Sequence, residues 1–153
     1  MPTYTETRIL PFTPQQLFGL VISIEKYPEF LPWCRAARIV SREADGAFVG
    51  ELIISFSHLT ERYSSRVTPT PPSGASEGTV DVALVSGPFH HLENHWRFVP
   101  HPQGCEIHFA VDFAFKSKWL DKLIGGLFNR ASEKMVAAFL ARAEALYGEP
   151  TLF

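Results

Sequence analysis

The spacing of apolar residues changes once near the end of this chain, and that change limits the fold more than any other feature. In CEIHFAVDFAFKS (105–117), Ile107, Phe109, Val111, Phe113 and Phe115 alternate with His108, Ala110, Asp112 and Ala114. Strict alternation gives an extended strand one apolar face and one polar face. Over 117–148 the pattern becomes helical: Trp119, Leu120, Leu123, Ile124, Leu127, Phe128, Met135, Val136, Phe139, Leu140, Leu146 and Tyr147 form one stripe. Roughly 32 residues at 1.5 Å each would span about 48 Å, enough to cross a whole sheet. Ser117 offers a cap and Gly148 with Pro150 a stop, while Gly125-Gly126 is a weak point within the helix.

Alternation of the same kind begins near residue 35. Phe48, Leu52, Ile54 and Phe56 form one face of a strand, as do Val80, Val82 and Leu84, and then Leu92, Asn94, Trp96 and Phe98. Matching apolar faces across the loop 100–105 predicts a hairpin that pairs Phe98 with Ile107, Trp96 with Phe109, Asn94 with Val111 and Leu92 with Phe113. TPTPPSGASEG (68–78) reads as a loop. Residues 3–10 read as a first strand, followed by a helix with Thr13 as N-cap and Pro14 at its first position. Pro28 and Pro32 stop that helix from continuing. The expected fold is α+β: a helix-grip layout with short helices after strand 1 and a curved antiparallel sheet wrapped around a long C-terminal helix. It forms a single domain over 1–153 with its core in 3–148. A tunnel lies between sheet and helix unless side chains fill it.

Composition narrows the function. Thirteen Phe, three Trp and four Tyr make 13% of the chain, which suits a thick core or an apolar cavity. A net charge of −2 supplies no bulk attraction to phosphate backbones, so no DNA partner is expected. Two cysteines are too few for a disulfide scaffold and suggest a reducing compartment. MPTYTETRIL has the character of neither a signal nor a transit peptide, and no apolar run nears the ~20 residues of a membrane span. A soluble, cytoplasmic protein is expected.

No GxGxxG, P-loop, GxSxG or HExxH motif is present. His91, Glu93 and His95 share the polar face of one strand, but alternate side chains stand about 7 Å apart and do not converge on a metal. No metal site and no catalytic residue are therefore assigned. Asn94 sits among aromatics on the covered face, where its amide needs a partner, whether backbone, buried water or a ligand head. Arg62 and Arg66 share the outer face of one strand, and Arg35, Arg38 and Arg42 fall on a strand read as its neighbour, a possible basic patch. Cys34 has no base nearby in sequence and reads as structural. The residues favour a binding module over an enzyme.

Taken together, YPEFLPWC (27–34), GPFHHLENHWRF (87–98), CEIHFAVDFAFKS (105–117) and MVAAFLARAEALYG (135–148) resemble a known family across nearly the whole chain. It is the coenzyme Q-binding and ribosome-association-toxin branch of the START-like, polyketide-cyclase-related superfamily. The resemblance implies a hydrophobic tunnel and a non-catalytic role in carrying ubiquinone to the respiratory chain, with ubiquinone as bound ligand and no other cofactor. It also implies a bacterial protein that touches a membrane surface transiently. The other role found in the family is association with the large ribosomal subunit, blocking subunit joining. Here His90 and His91 follow GPF, where many relatives carry a basic residue. The expected lining is Phe56, Trp96, Phe109, Val111, Phe113, Leu123, Leu127, Phe128 and Val136, with Asn94 as polar contact and Trp33 and Phe89 at the mouth. Polyketide cyclisation would need an acid or base inside the tunnel, where only Asn94 and Tyr63 are offered.

Overall fold

The computed structural model describes residues 3–56, 59–125 and 128–148. Strand β1 (Thr3–Leu10) leads into helix α1 (Pro14–Ile22) and a 3₁₀ helix (Ile24–Glu29). Six strands follow: β2 (Cys34–Arg42), β3 (Phe48–Phe56), β4 (Leu59–Thr70), β5 (Gly78–Ser86), β6 (Phe89–His101) and β7 (Gly104–Phe115). Helices α2 (Lys118–Gly125) and α3 (Phe128–Tyr147) complete the chain. The strands form one antiparallel sheet in the order β1-β7-β6-β5-β4-β3-β2, so β2 to β7 is a plain meander and β1 returns to its far edge.

The β6–β7 register is the one the facing pattern predicts: Phe98 opposite Ile107, Trp96 opposite Phe109, Asn94 opposite Val111 and Leu92 opposite Phe113. Any one-residue slip would turn Trp96, Phe98, Ile107 and Phe109 to solvent, which is why a single register wins. Register shifts interrupt β2 beside Cys34 and Ile39, β4 at Ser64/Ser65 and β6 between Phe89 and His91. Such bulges bend strands, and here they help curl the sheet around the helices.

Thr13 caps α1 through a full capping box: its hydroxyl accepts from the Gln16 N–H and the Gln16 side chain accepts from the Thr13 N–H, both at 3.0 Å. Leu17, Leu20, Val21 and Ile24 are all buried. Phe139 of α3 joins helix, sheet and the 24–33 segment, with ring contacts to Trp96 (5.2 Å), Phe30 (5.2 Å) and Tyr27 (5.3 Å).

Three details differ from the sequence reading. Trp119 is 65% exposed and Leu146 51%, so neither belongs to the buried stripe. The 3₁₀ helix accommodates Pro28 internally, and β4 extends through Pro69 to Thr70, which shortens the predicted loop. The basic patch is interrupted, because β3 stands between β2 and β4 and two of the five cations are matched by acids. Arg38 binds Glu51 at 2.8 Å, Arg66 binds Glu43, and Arg42 lies over Phe48.

Candidate functional site

Two cavities adjoin between the inner sheet face and α3. The inner one, about 80 Å³, is walled by Val21 of α1, Leu31, Leu52, Val67, Val80, Asn94, Trp96 and Phe139. The outer one, about 180 Å³, is walled by Ile54, Phe89, Leu92, Val111, Phe113, Phe115 and by Ala131 and Ser132 of α3. Trp33, Tyr63 and Met135 line both, so they stand where the cavities meet.

Of the lining residues expected from sequence, Trp33, Phe89, Asn94, Trp96, Val111 and Phe113 stand on one or both cavity walls. Phe109 does not: it is 2% exposed, closed in by Tyr4 of β1 at 6.2 Å and Trp96 at 4.6 Å. Val136 faces neither of these cavities but a void of about 10 Å³ under α1, because Leu17, Leu20 and Val21 cover that end of α3. Leu127 lies outside the described residues, as do the side chains of Phe56, Leu123 and Phe128. Sequence reasoning passed over Met135 and Leu92 as lining and offered Tyr63 only as a polar group inside the tunnel; the inward parity of Tyr63, Ser65 and Val67 was the signal for β4.

The amide of Asn94 is structurally engaged. Its Nδ2 donates to the Ala110 carbonyl at 2.9 Å, and its Oδ1 accepts from Trp96 Nε1 at 2.9 Å. Tyr27 donates its hydroxyl to the Val21 carbonyl. Burial raises the phenols of Tyr27 and Tyr63 well above the ordinary tyrosine value. Burial likewise pushes the Cys34 thiol up to about 11, and its Sγ donates to the Ala36 carbonyl at 3.5 Å. A thiol held protonated is inert, which fits a structural cysteine.

The segment 27–34 forms the wall beside the inner cavity. Arg142 of α3 clasps it, donating to Glu29 at 2.6 Å and lying 5.2 Å above the Phe30 ring. On the outer sheet face, His91 does not pair with His95. Its Nε2 hydrogen-bonds Asp112 of β7, and ligand atoms of His91, Glu93 and Asp112 lie within 4.8 Å of one another. His95 instead bonds Asp81 at 2.7 Å, which raises its pKa. The sequence spacing along one strand could not show Asp112, which arrives by cross-strand pairing with Glu93.

A curved antiparallel sheet closed over one long helix, with an apolar cavity between them, defines a helix-grip protein of the START-like class. Proteins of that class at 12–20% identity share the fold alone. The chain belongs to the family described as polyketide cyclase/dehydrase and lipid transport, which matches residues 10–140. It is 44% identical to the ribosome association toxin RatA of Rickettsia prowazekii over 94% of this chain and 97% of the relative. It is 32% identical to the mitochondrial coenzyme Q-binding protein COQ10 homolog B of Xenopus laevis, over 95% of this chain and 59% of that protein. The solution structure of an 18 kDa protein from Caulobacter crescentus superposes with a TM-score of 0.76 at 38% identity, covering 97% of this chain and 100% of that one.

Proposed function

We propose that this chain is a non-catalytic carrier of a hydrophobic ligand, a prenylated quinone such as ubiquinone, supporting respiratory electron transport. The observation that carries the reading is the outer cavity of about 180 Å³, whose wall is almost wholly apolar. Each methylene buried there contributes about 0.8 kcal/mol. Even combined, the two cavities fall short of the ~300–1,000 Å³ usual for ligand sites. A long tail therefore leaves by the outer cavity while the head stays inside.

No Asp, Glu, His or Lys lines either cavity among the described residues. The two tyrosines stay protonated near neutral pH, so the cavity offers no base. This supports carriage over cyclisation. No helix among the described residues is long and apolar enough to cross a membrane. Delivery instead uses transient contact at the inner membrane of a bacterial cell. Phe115, on the outer cavity wall, donates its N–H to Asp121 of α2 at 3.0 Å. That helix presents exposed Trp119 between Lys118 and Lys122, an interfacial aromatic flanked by cations. Vesicle flotation with anionic lipid tests the contact; protein left at the bottom of the gradient removes it.

Mass spectrometry of lipid extracts from natively purified protein tests the carrier reading. Enrichment of a prenylated quinone over a control protein is expected, and no enrichment of any lipid would count against it. The near full-length relative named as a ribosome association toxin favours a second reading, binding to the large ribosomal subunit. Failure to co-sediment with purified subunits at physiological salt would remove that reading.

A further inference from the structure

The wall of the inner cavity carries a short polar row on β4. Tyr63 and Ser65 occupy successive inward positions, and such neighbours on one strand face stand about 7 Å apart. Ser65 is 4% exposed. Two other polar side chains on this wall are already committed: Asn94 to Ala110 and Trp96, Tyr27 to Val21. The hydroxyls of Tyr63 and Ser65 have no hydrogen-bond partner among the described residues. Among the described residues Arg142 Nε is the one fully buried side-chain polar atom without a partner, so these two hydroxyls open onto the void, where something else can supply the acceptor. Tyr63 stands where the two cavities join, its ring held edge-on by Phe89 at 5.3 Å. Its ring is thus positioned by packing, and its hydroxyl has no partner among the described residues.

We propose that Tyr63 and Ser65 anchor the polar head of the ligand, and that the head is an uncharged oxygenated ring whose carbonyl accepts from the Tyr63 hydroxyl. The proposal rests on the carrier reading and assigns the residues that hold the head of its ligand. With no cation among the described wall residues, an ionised carboxylate or phosphate head would be buried without a counter-charge, which is strongly unfavourable. A purely hydrocarbon ligand would leave both hydroxyls unsatisfied. A neutral ring carbonyl avoids both penalties.

Calorimetric titration of the lipid-stripped full chain tests this with three probes: a decyl-substituted benzoquinone, decylbenzene and decanoate. The wild type is expected to bind the quinone tightest and decanoate weakest. Tyr63→Phe is expected to weaken the quinone about tenfold, the value of one neutral hydrogen bond, and to leave decylbenzene unchanged. Ser65→Ala should act in the same direction. Because the Tyr63 hydroxyl has no partner among the described residues, Tyr63→Phe should melt no lower than wild type; a lower melting temperature with equal losses for quinone and decylbenzene would mean a structural role and overturn the proposal. Quinone and decylbenzene bound alike by wild type and variant would overturn the anchor while leaving the carrier reading intact. Neither probe bound by wild type would overturn both.

Discussion

At the scale of single residues, Asn94 separates what parity tells from what it leaves open. Alternation along β6 places the amide inward, and the structure puts it on the inner cavity wall. Its partners could not be read, because one is the indole of its own neighbour two positions on and the other a carbonyl of β7. Asn94→Ala strands the buried Trp96 N–H and is expected to cost about 1–3 kcal/mol in urea denaturation. An unchanged urea midpoint would mean that the amide does not carry this bond. Tyr63 is the reverse case. Its hydroxyl has no partner among the described residues, and a sequence does not display missing partners.

Among the elements, the β6–β7 hairpin was legible down to its register, since three apolar pairs around Asn94–Val111 admit only one alignment. Its turn is equally constrained. Gly104 has φ +138°, and a Cβ there would fall 2.2 Å from the Leu10 carbonyl oxygen and 2.9 Å from the Phe12 nitrogen. Gly104→Ala should therefore lose at least about 2 kcal/mol, from backbone strain and from pushing the β1–α1 connection away. Equal thermal stability of variant and wild type would contradict the close approach. The C-terminal helix was less legible. Helical spacing places Trp119 in the same apolar stripe as Val136 and Phe139. Only the packing distinguishes Trp119, exposed, from Val136 and Phe139, buried.

For the whole molecule, alternation followed by helical spacing specified an antiparallel sheet over a helix, but not whether the space between them is filled. The same Phe residues serve a packed core and a cavity wall: Phe109 does the first, Phe89 and Phe113 the second. Burial of weak acids gives the fold a common pH signature. Desolvation lifts the thiols of Cys34 and Cys105 from 9.0 to about 11 and Tyr4 from 10.0 to about 12, with Tyr27 and Tyr63 higher still. The unfolded chain therefore loses these protons first. Their contribution to stability is complete below about pH 9, falls as pH rises through 11, and should appear as a declining urea midpoint over that range. A midpoint constant to pH 11 would contradict the burial of these groups.

The central claim is that the space between sheet and α3 holds a lipid. Native mass spectrometry of the wild type beside Ala131→Trp, which places an indole in the outer cavity, tests it most directly. The account predicts one lipid-mass adduct on the wild type and none on the folded variant. An adduct of equal abundance on both, or on neither, would contradict it.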